Sequence, residues 1–265
     1  MAKKTDINEE VNYILKLRQE ADDSTRDRRL MADELWSLYQ NRQDYSTKKD
    51  WQSKIFIPKI FMSVEQAAAI VKRAVMSPKK LFKLDVVDPK DEEAKKALPE
   101  IEETFKVILK DSNFASAYAE TIKESFLTGL GVTKILWEGG LRYANIATSK
   151  FFIDPDYQNG SYEIPKFDIE EKELDLALLK EMARQINADA GKKVFDMTEI
   201  DKIKEDQRDV ERETEDRVRR GISDHTKSDK RVKITEFWGD IVDKETNKVK
   251  KNQLRVVANE KYIIR

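Results

Sequence analysis

The feature that most constrains the fold is the run from Lys59 to Met76, KIFMSVEQAAAIVKRAVM, bracketed by Pro58 and by Ser77-Pro78. Ile60, Val64, Ala67, Val71 and Val75 recur every three or four residues, the period that lines side chains along one face of an α-helix. Pro58 disfavours helix in the residue before it, so the helix starts near Lys59, and Ser77-Pro78 closes it. Upstream, Met31, Leu35 and Leu38 repeat the spacing and Trp36 and Tyr39 widen the stripe, which predicts a first helix ending near Gln43. A polar linker from Asp44 to Asp50 follows, then Trp51 and the run Ile55-Phe56-Ile57. This helix pair predicts that Trp51, Ile57, Val64 and Val71 lie in the principal core.

The remaining pattern is mostly helical. Residues 1–24 read as a charged helix with Ile7, Val11, Ile14 and Leu15 on one side, broken at Ala21-Asp22-Asp23-Ser24, where Ser24 is placed to cap the next segment. Leu84 to Pro89 reads as a short strand. Asp91 to Lys110 carries Ala94, Ala97, Ile101, Phe105 and Ile108 at helical spacing, with Pro99 predicting a break or kink. Asn113 to Thr128 is a further helix, with Phe114, Ala117, Thr121 and Ile122 inward and Gly129 as its stop. Val132–Trp137 and Leu141–Ala147 form a hairpin around Gly139-Gly140.

From Asp168 the chain is acidic and reads as helical, with Leu176, Leu179, Ala183 and Ile186 on one face and a break at Asp189-Ala190-Gly191. A charged, peripheral helix from Thr198 to Arg220 carries a thin stripe of Ile200, Ile203, Val210 and Val218. The pairs Glu213 with Arg217, Glu215 with Arg219 and Asp216 with Arg220 support it at i, i+4. Gly221 caps it, and Ser223 to Asp229 is a loop. Val232 to Trp238, Leu254 to Ala258 and Tyr262 to Ile264 then suggest an antiparallel sheet with a polar turn around Lys244 to Asn247. The expected class is α+β, a mainly helical body with small antiparallel β elements. Its expected divisions are a helical body with a hairpin (1–167), a charged helical segment (168–230) and the start of a β region (231–265).

Charge and chemistry narrow the function classes. Charged residues make up 38% of the chain and hydrophobic ones 39%, a balance that solvated helices account for. With 50 Lys and Arg against 51 Asp and Glu, the net charge of -1 gives no global attraction to nucleic acid. A local basic stretch is present: Lys48, Lys49, Lys54, Lys59, Lys72, Arg73, Lys79, Lys80 and Lys83 outnumber Asp50 and Glu65 by seven charges. It reads as a phosphate-facing patch or, more plainly, as the solvated edges of amphipathic helices. There is no cysteine and one histidine, His225, so zinc sets of the usual kind cannot be assembled within one chain. His225 has no visible orienting partner for acid–base work, and no nucleophile elbow is present. Gly129-Leu130-Gly131 follows a helix and precedes a strand, the reverse of a phosphate loop, and reads as a helix stop. Asp154-Pro155-Asp156 offers two carboxylates for a divalent ion, but the intervening proline favours a structural turn. No catalytic, cofactor-binding or metal-ligating residue is assigned. No signal-peptide run and no membrane-length segment occurs, and the chain reads as soluble.

The order of these motifs resembles the portal proteins of tailed bacteriophages, in their podovirus-like branch. The resemblance rests on the helix with Trp36 and Tyr39, on Trp51-Gln52-Ser53 followed by an apolar run and Pro58, and on the helix ending in Met76-Ser77-Pro78. It continues through Phe126-Leu127-Thr128-Gly129-Leu130-Gly131-Val132-Thr133-Lys134-Ile135-Leu136-Trp137 and Phe151-Phe152-Ile153-Asp154-Pro155. It implies a structural protein rather than an enzyme, without cofactors: one subunit of a homo-oligomeric ring, a dodecamer in that family, at the capsid vertex of a virion assembled in the host cytoplasm. The implied partners are other copies of the chain, capsid and scaffolding proteins, the terminase packaging motor, and tail or adaptor proteins. DNA would pass through without sequence recognition, and no membrane is involved. The abrupt end after Tyr262-Ile263-Ile264 suggests that further chain follows, and the matched region corresponds to the amino-terminal wing of such a subunit. Two other readings stay open: a nucleic-acid-binding adaptor using 48–83, and a metal-dependent nuclease or phosphoesterase at Asp154 and Asp156.

Overall fold

A computed structural model describes residues 4–42, 48–49, 51–53, 57–77, 82–137, 140–157, 165–203, 231–243 and 248–265. The fold is α+β, with helices α1 (Lys4–Tyr39), α2 (Lys59–Met76), α3 (Glu92–Asp111), α4 (Phe114–Thr128), α5 (Leu176–Ala190) and α6 (Met197–Asp201). Strands β1 (Val132–Trp137) and β2 (Leu141–Ile146) make an antiparallel hairpin. Strands β3 (Phe151–Ile153), β4 (Phe167–Asp175), β5 (Arg231–Asp243), β6 (Lys248–Ala258) and β7 (Tyr262–Ile263) make a five-stranded antiparallel sheet in sequence order. Two compact units result: Met1–Asp27 with Lys150–Arg265, and Arg28–Ser149. The divisions expected at 167 and 230 fall elsewhere because pairing joins β3 and β4 to β5 across them; Ile169 sits opposite both Phe152 and Phe237.

The first unit is a sheet covered on both faces. Because side chains alternate along a strand, Ile169, Phe237 and Val257 point one way and Val232, Ile234, Val256 and Ala258 the other. Val11, Ile14 and Ala21 of α1 cover the first set together with Phe152, Phe167 and Ile241. Leu179 and Ala183 of α5, Ile200 of α6, Phe195, Ile203 and Ile264 cover the second. Fully buried Phe152, Phe237, Ile14, Ile169, Ile200, Ile234 and Ile264 place the principal core here. Trp51 is 79% exposed and Ile57 62% exposed, so neither is a core residue, and of the α2 pair only Val64 is buried. The core was expected in the wrong place because helical periodicity reports that a face exists and not how much surface meets it.

Several local expectations change for identifiable reasons. The expected break at 21–24 is absent, and α1 runs unbroken for 36 residues. Ser24 and Thr25 turn their hydroxyls back onto the Ala21 carbonyl (3.0 and 2.7 Å), bonding within the helix instead of capping a new one. Leu84 to Val86 has no strand partner; the Leu84 amide donates to a Glu102 carboxylate oxygen at 3.2 Å. Pro99 does not interrupt α3. Residues 168–175 are strand, not helix: their composition favours helix, but nine residues pair in register with β5 and bury Phe167, Ile169 and Glu171 in alternation. Asp175 then caps α5, accepting from the Ala177 amide at 2.7 Å, and Gly191 at φ +59° ends it. The helix expected from Thr198 stops at Asp201, and Ile203 is buried beyond it. The remainder of that segment, with His225, the i, i+4 pairs, Gly221 and the 223–229 loop, lies outside the described residues, as does the 244–247 turn.

The second unit packs α2 against α4 and α4 against the hairpin. Its buried residues are small or few: Ala32, Val64, Ala68, Ala117, Ile122, Leu127 and Ile146, with the polar Glu124 and Thr148. Gly129 takes φ +79° and ends α4. Gly131 is needed for a different reason, since a Cβ there would lie 2.6 Å from the Thr121 carbonyl oxygen, where β1 leaves the helix.

Candidate functional site

The carboxylates of the Asp154-Pro155-Asp156 corner are occupied by the fold. Asp154 is buried, and its Oδ1 accepts from the Asp156 amide at 3.0 Å while Oδ2 accepts from the Lys166 amide at 3.2 Å. Asp156 is exposed and pairs with the Lys166 ammonium at 2.9 Å. The pair therefore ties the residues after β3 to Lys166 just before β4, and among the described residues no group of three or more His, Cys, Asp or Glu is arranged to hold a metal ion. Of the basic stretch, Lys49, Lys59, Lys72, Arg73 and Lys83 are exposed, and exposed Lys48 donates to the Ser53 carbonyl at 2.9 Å. Lys54, Lys79 and Lys80 lie outside the described residues.

A charged network around the buried Glu171 went unread in the sequence. Arg18 reaches from α1 to Glu171 on β4 through two bonds, Nε to Oε1 at 2.9 Å and Nη2 to Oε2 at 3.2 Å. Its Nη1 donates to Asp22 Oδ2 at 3.0 Å, and its guanidinium lies 4.7 Å from the centre of the Phe152 ring. Lys233 on β5 adds a second cation 3.3 Å from Glu171 and pairs with Glu260 at 2.9 Å. Burial alone would raise the Glu171 pKa, but the Arg18 hydrogen bond and the charges of Lys233 and Arg18 outweigh it and hold the carboxyl below its usual value of 4.5. For Lys233, burial pulls downward and the charges of Glu171 and Glu260 win, so its pKa is raised. The signal was available: Arg18 continues the spacing of Val11, Ile14 and Ala21, so it had to sit on the covered face of α1. The network ties α1 to β4 through Arg18 and Glu171, and β4 to β5 through Glu171 and Lys233.

The second unit has its own polar anchor. Glu65 of α2 accepts from the Tyr39 hydroxyl and pairs with Lys123 of α4 at 2.6 Å. Burial and the bonded carboxylate push the Tyr39 phenol up to about 12, while the Lys123 and Tyr39 hydrogen bonds lower the pKa of Glu65. Asn113 holds the hairpin: its side-chain amide donates to the Tyr143 carbonyl at 2.5 Å and accepts from the Tyr143 amide at 2.8 Å, as a neighbouring strand would.

Beyond these anchors the unit displays apolar surface. On α2 the inward face is Val64 and Ala68, and the opposite side presents Met62 at 60% exposure and Ile70 at 64%. A shallow hollow at its carboxy-terminal end is lined by Ala69, Lys72, Arg73, Met76 and Ser77. Helix α3 has no buried residue at all, yet Ala94, Ala97, Ile101, Phe105 and Ile108 form a continuous stripe, with Phe82 set edge-on to Phe105 at 5.9 Å. On the outer side of α2, Gln66, Arg73 and Lys59 lie between Met62 and Ile70, whereas α3 presents an unbroken apolar stripe with no buried residue among those described.

A scan of known protein-family models finds none that matches the chain, and a search of curated proteins finds no match either. Among the described residues no helix is long and apolar enough to cross a membrane.

Proposed function

We propose that the chain is a non-enzymatic subunit of a homo-oligomeric ring of the portal type, whose work is to form a passage for DNA at a capsid vertex and a docking surface for the packaging motor and tail. The observation that carries this reading is the exposed apolar surface of the second unit, above all the stripe of α3, which has no buried residue among those described. The order of portal-like motifs in the sequence supports it. So does the near-neutral charge: each phosphate neutralised by a fixed lysine or arginine adds salt-sensitive affinity, and a passage must hold DNA weakly. Assignment to a virion is part of the same proposal. Imaging and mass measurement of the assembled protein test it, with closed rings of uniform copy number as the expected result. A monomer or simple dimer at high concentration would end the reading, as would tight sequence-specific DNA binding.

A further inference from the structure

Strand β4 is written in residues that suit a helix. Asp168, Glu170, Glu171, Lys172, Glu173 and Asp175 are of types depleted in strands, and Glu, Lys and Leu are among the better helix formers. The strand also runs into a helix with no residue between, since β4 ends at Asp175 and α5 begins at Leu176. Asp168 and Glu171 stand at the spacing of a capping box, in which the cap side chain accepts from the third helical amide and the third helical carboxylate reaches back to the amide of the cap. A helix starting at Ile169 would set Asp168 and Lys172 at i, i+4 in the favourable order, place Leu174 beside Leu178, and bring Ile169 into line with Leu176 and Ala183 at seven-residue steps. One helix therefore has two alternative starts, Asp168 and Asp175. In the fold Asp175 is the one used: its Oδ1 accepts from the Ala177 and Leu178 amides at 2.7 and 3.4 Å, while Phe167 to Asp175 pair with β5 over their whole length.

We propose that residues 168–175 are a helix-to-strand switch. While β5 is unpaired they extend α5 back to Ile169 under the Asp168 cap, and pairing with β5 draws them out into β4. The change also makes the seat for α1. On a strand Ile169 and Glu171 share a face, and both are buried there, Ile169 in the cluster with Val11 and Ile14, and Glu171 bonded to Arg18. In a helix they would stand about 200° apart, so no single face could offer α1 both its apolar contact and the partner of Arg18. Chain order gives the switch a direction during synthesis, because 168–190 is complete before Arg231, the first residue of β5, is made. Local preference thus favours one state and long-range pairing the other, the condition under which one sequence supports two packings.

The test uses the full 265-residue chain, isotopically labelled, and reads the Cα and Cβ chemical shifts of 168–175 by NMR. The unmodified chain is expected to give strand values. Ile234→Pro puts a proline into β5 between β4 and β6 and is expected to turn 169–175 to helix values continuous with α5. Phe237→Asp detaches β5 by a second route, placing a charge where a fully buried ring sits, and should give the same values should the proline variant precipitate. The two caps should then exchange roles. With β5 broken, Asp168→Ala should lower the helix-to-coil ratio of 169–175 roughly fivefold, and Asp175→Ala should not lower it. With β5 intact, Asp175→Ala should speed exchange of the Ala177 and Leu178 amides, and Asp168→Ala should not. Coil values at 169–175 in the β5 variants overturn the proposal whether or not α5 stays helical. So do strand values that persist while the β5 amides exchange freely, or helicity there that is indifferent to Asp168.

Discussion

The two units solve the same problem to different degrees. In the unit built on the five-stranded sheet, both faces are covered, and among the described residues its large exposed apolar side chains are Leu178, Trp238 and Val249. The unit from Arg28 to Ser149 has the reverse balance. Its one side chain below 2% exposure among the largest buried residues is Thr148, while Trp51, Met62, Ile70, Phe105, Ile135 and Trp137 all stand 45% or more exposed. A sheet with helices on both sides uses up its apolar surface; two packed helices and a hairpin do not. The contrast teaches that a sheet covered on both faces buries most of its apolar surface in its own contacts, whereas the second unit leaves more of its own exposed among the described residues.

The largest effect that would test this contrast is expected from Phe237→Ala, which removes a fully buried ring from the sheet and should cost about 3–5 kcal/mol in urea unfolding. Hydrogen exchange should localise the loss to the sheet amides, and an equal loss from Val64→Ala would erase the contrast. Glu171→Ala comes next, at about 1–3 kcal/mol, because it removes the buried carboxylate that Arg18 and Lys233 share and leaves each half-buried cation with one partner, Asp22 or Glu260. The pH dependence follows from the direction of each shift. Glu171, depressed in the fold, contributes stability present above its unfolded value near 4.5 and lost as pH falls through the lower folded value. Lys233, raised in the fold, contributes stability that is full below 10.5 and lost as pH rises through the higher folded value. Stability measured against pH should therefore show an acid limb that Glu171→Gln reduces.

In the second unit Gly131→Ala should cost about 1–3 kcal/mol, since the added methyl meets backbone that cannot yield, and thermal unfolding reads it directly. Val64→Ala should cost about 1–2 kcal/mol through its cavity. The smallest change is expected from Ile101→Ser, within about 0.5 kcal/mol for the dissociated chain, because Ile101 is exposed there. A large loss of stability from Ile101→Ser would show that α3 is covered within its own unit and would break the contrast between the two units.

Much of the local structure was legible. Residues such as Pro58, Gly129 and Gly191 act on the backbone next to them, through a fixed φ or a cheap left-handed conformation, so α2, α4, the β1–β2 hairpin and the carboxy-terminal end of α5 follow from the sequence, whereas the start of α5 at Asp175 does not. Asp154 also declared itself, since a proline between two aspartates favours a turn over a shared coordination face. What the sequence left open was which faces meet. The segment 168–175 has helix-favouring residues and becomes a strand only because β5, sixty residues later, supplies its hydrogen bonds and buries Ile169 against Phe237. Arg18 carries a charge that composition assigns to solvent, and the carboxylates of Glu171 and Asp22 make its partial burial tolerable. Amphipathic periodicity marked α1, α2 and α3 alike, yet α1 covers the sheet, α2 buries Val64 and Ala68, and α3 has no buried residue among those described. Periodicity is a property of one helix, whereas burial depends on the area another element brings to it, and that is decided when distant parts of the chain are packed together.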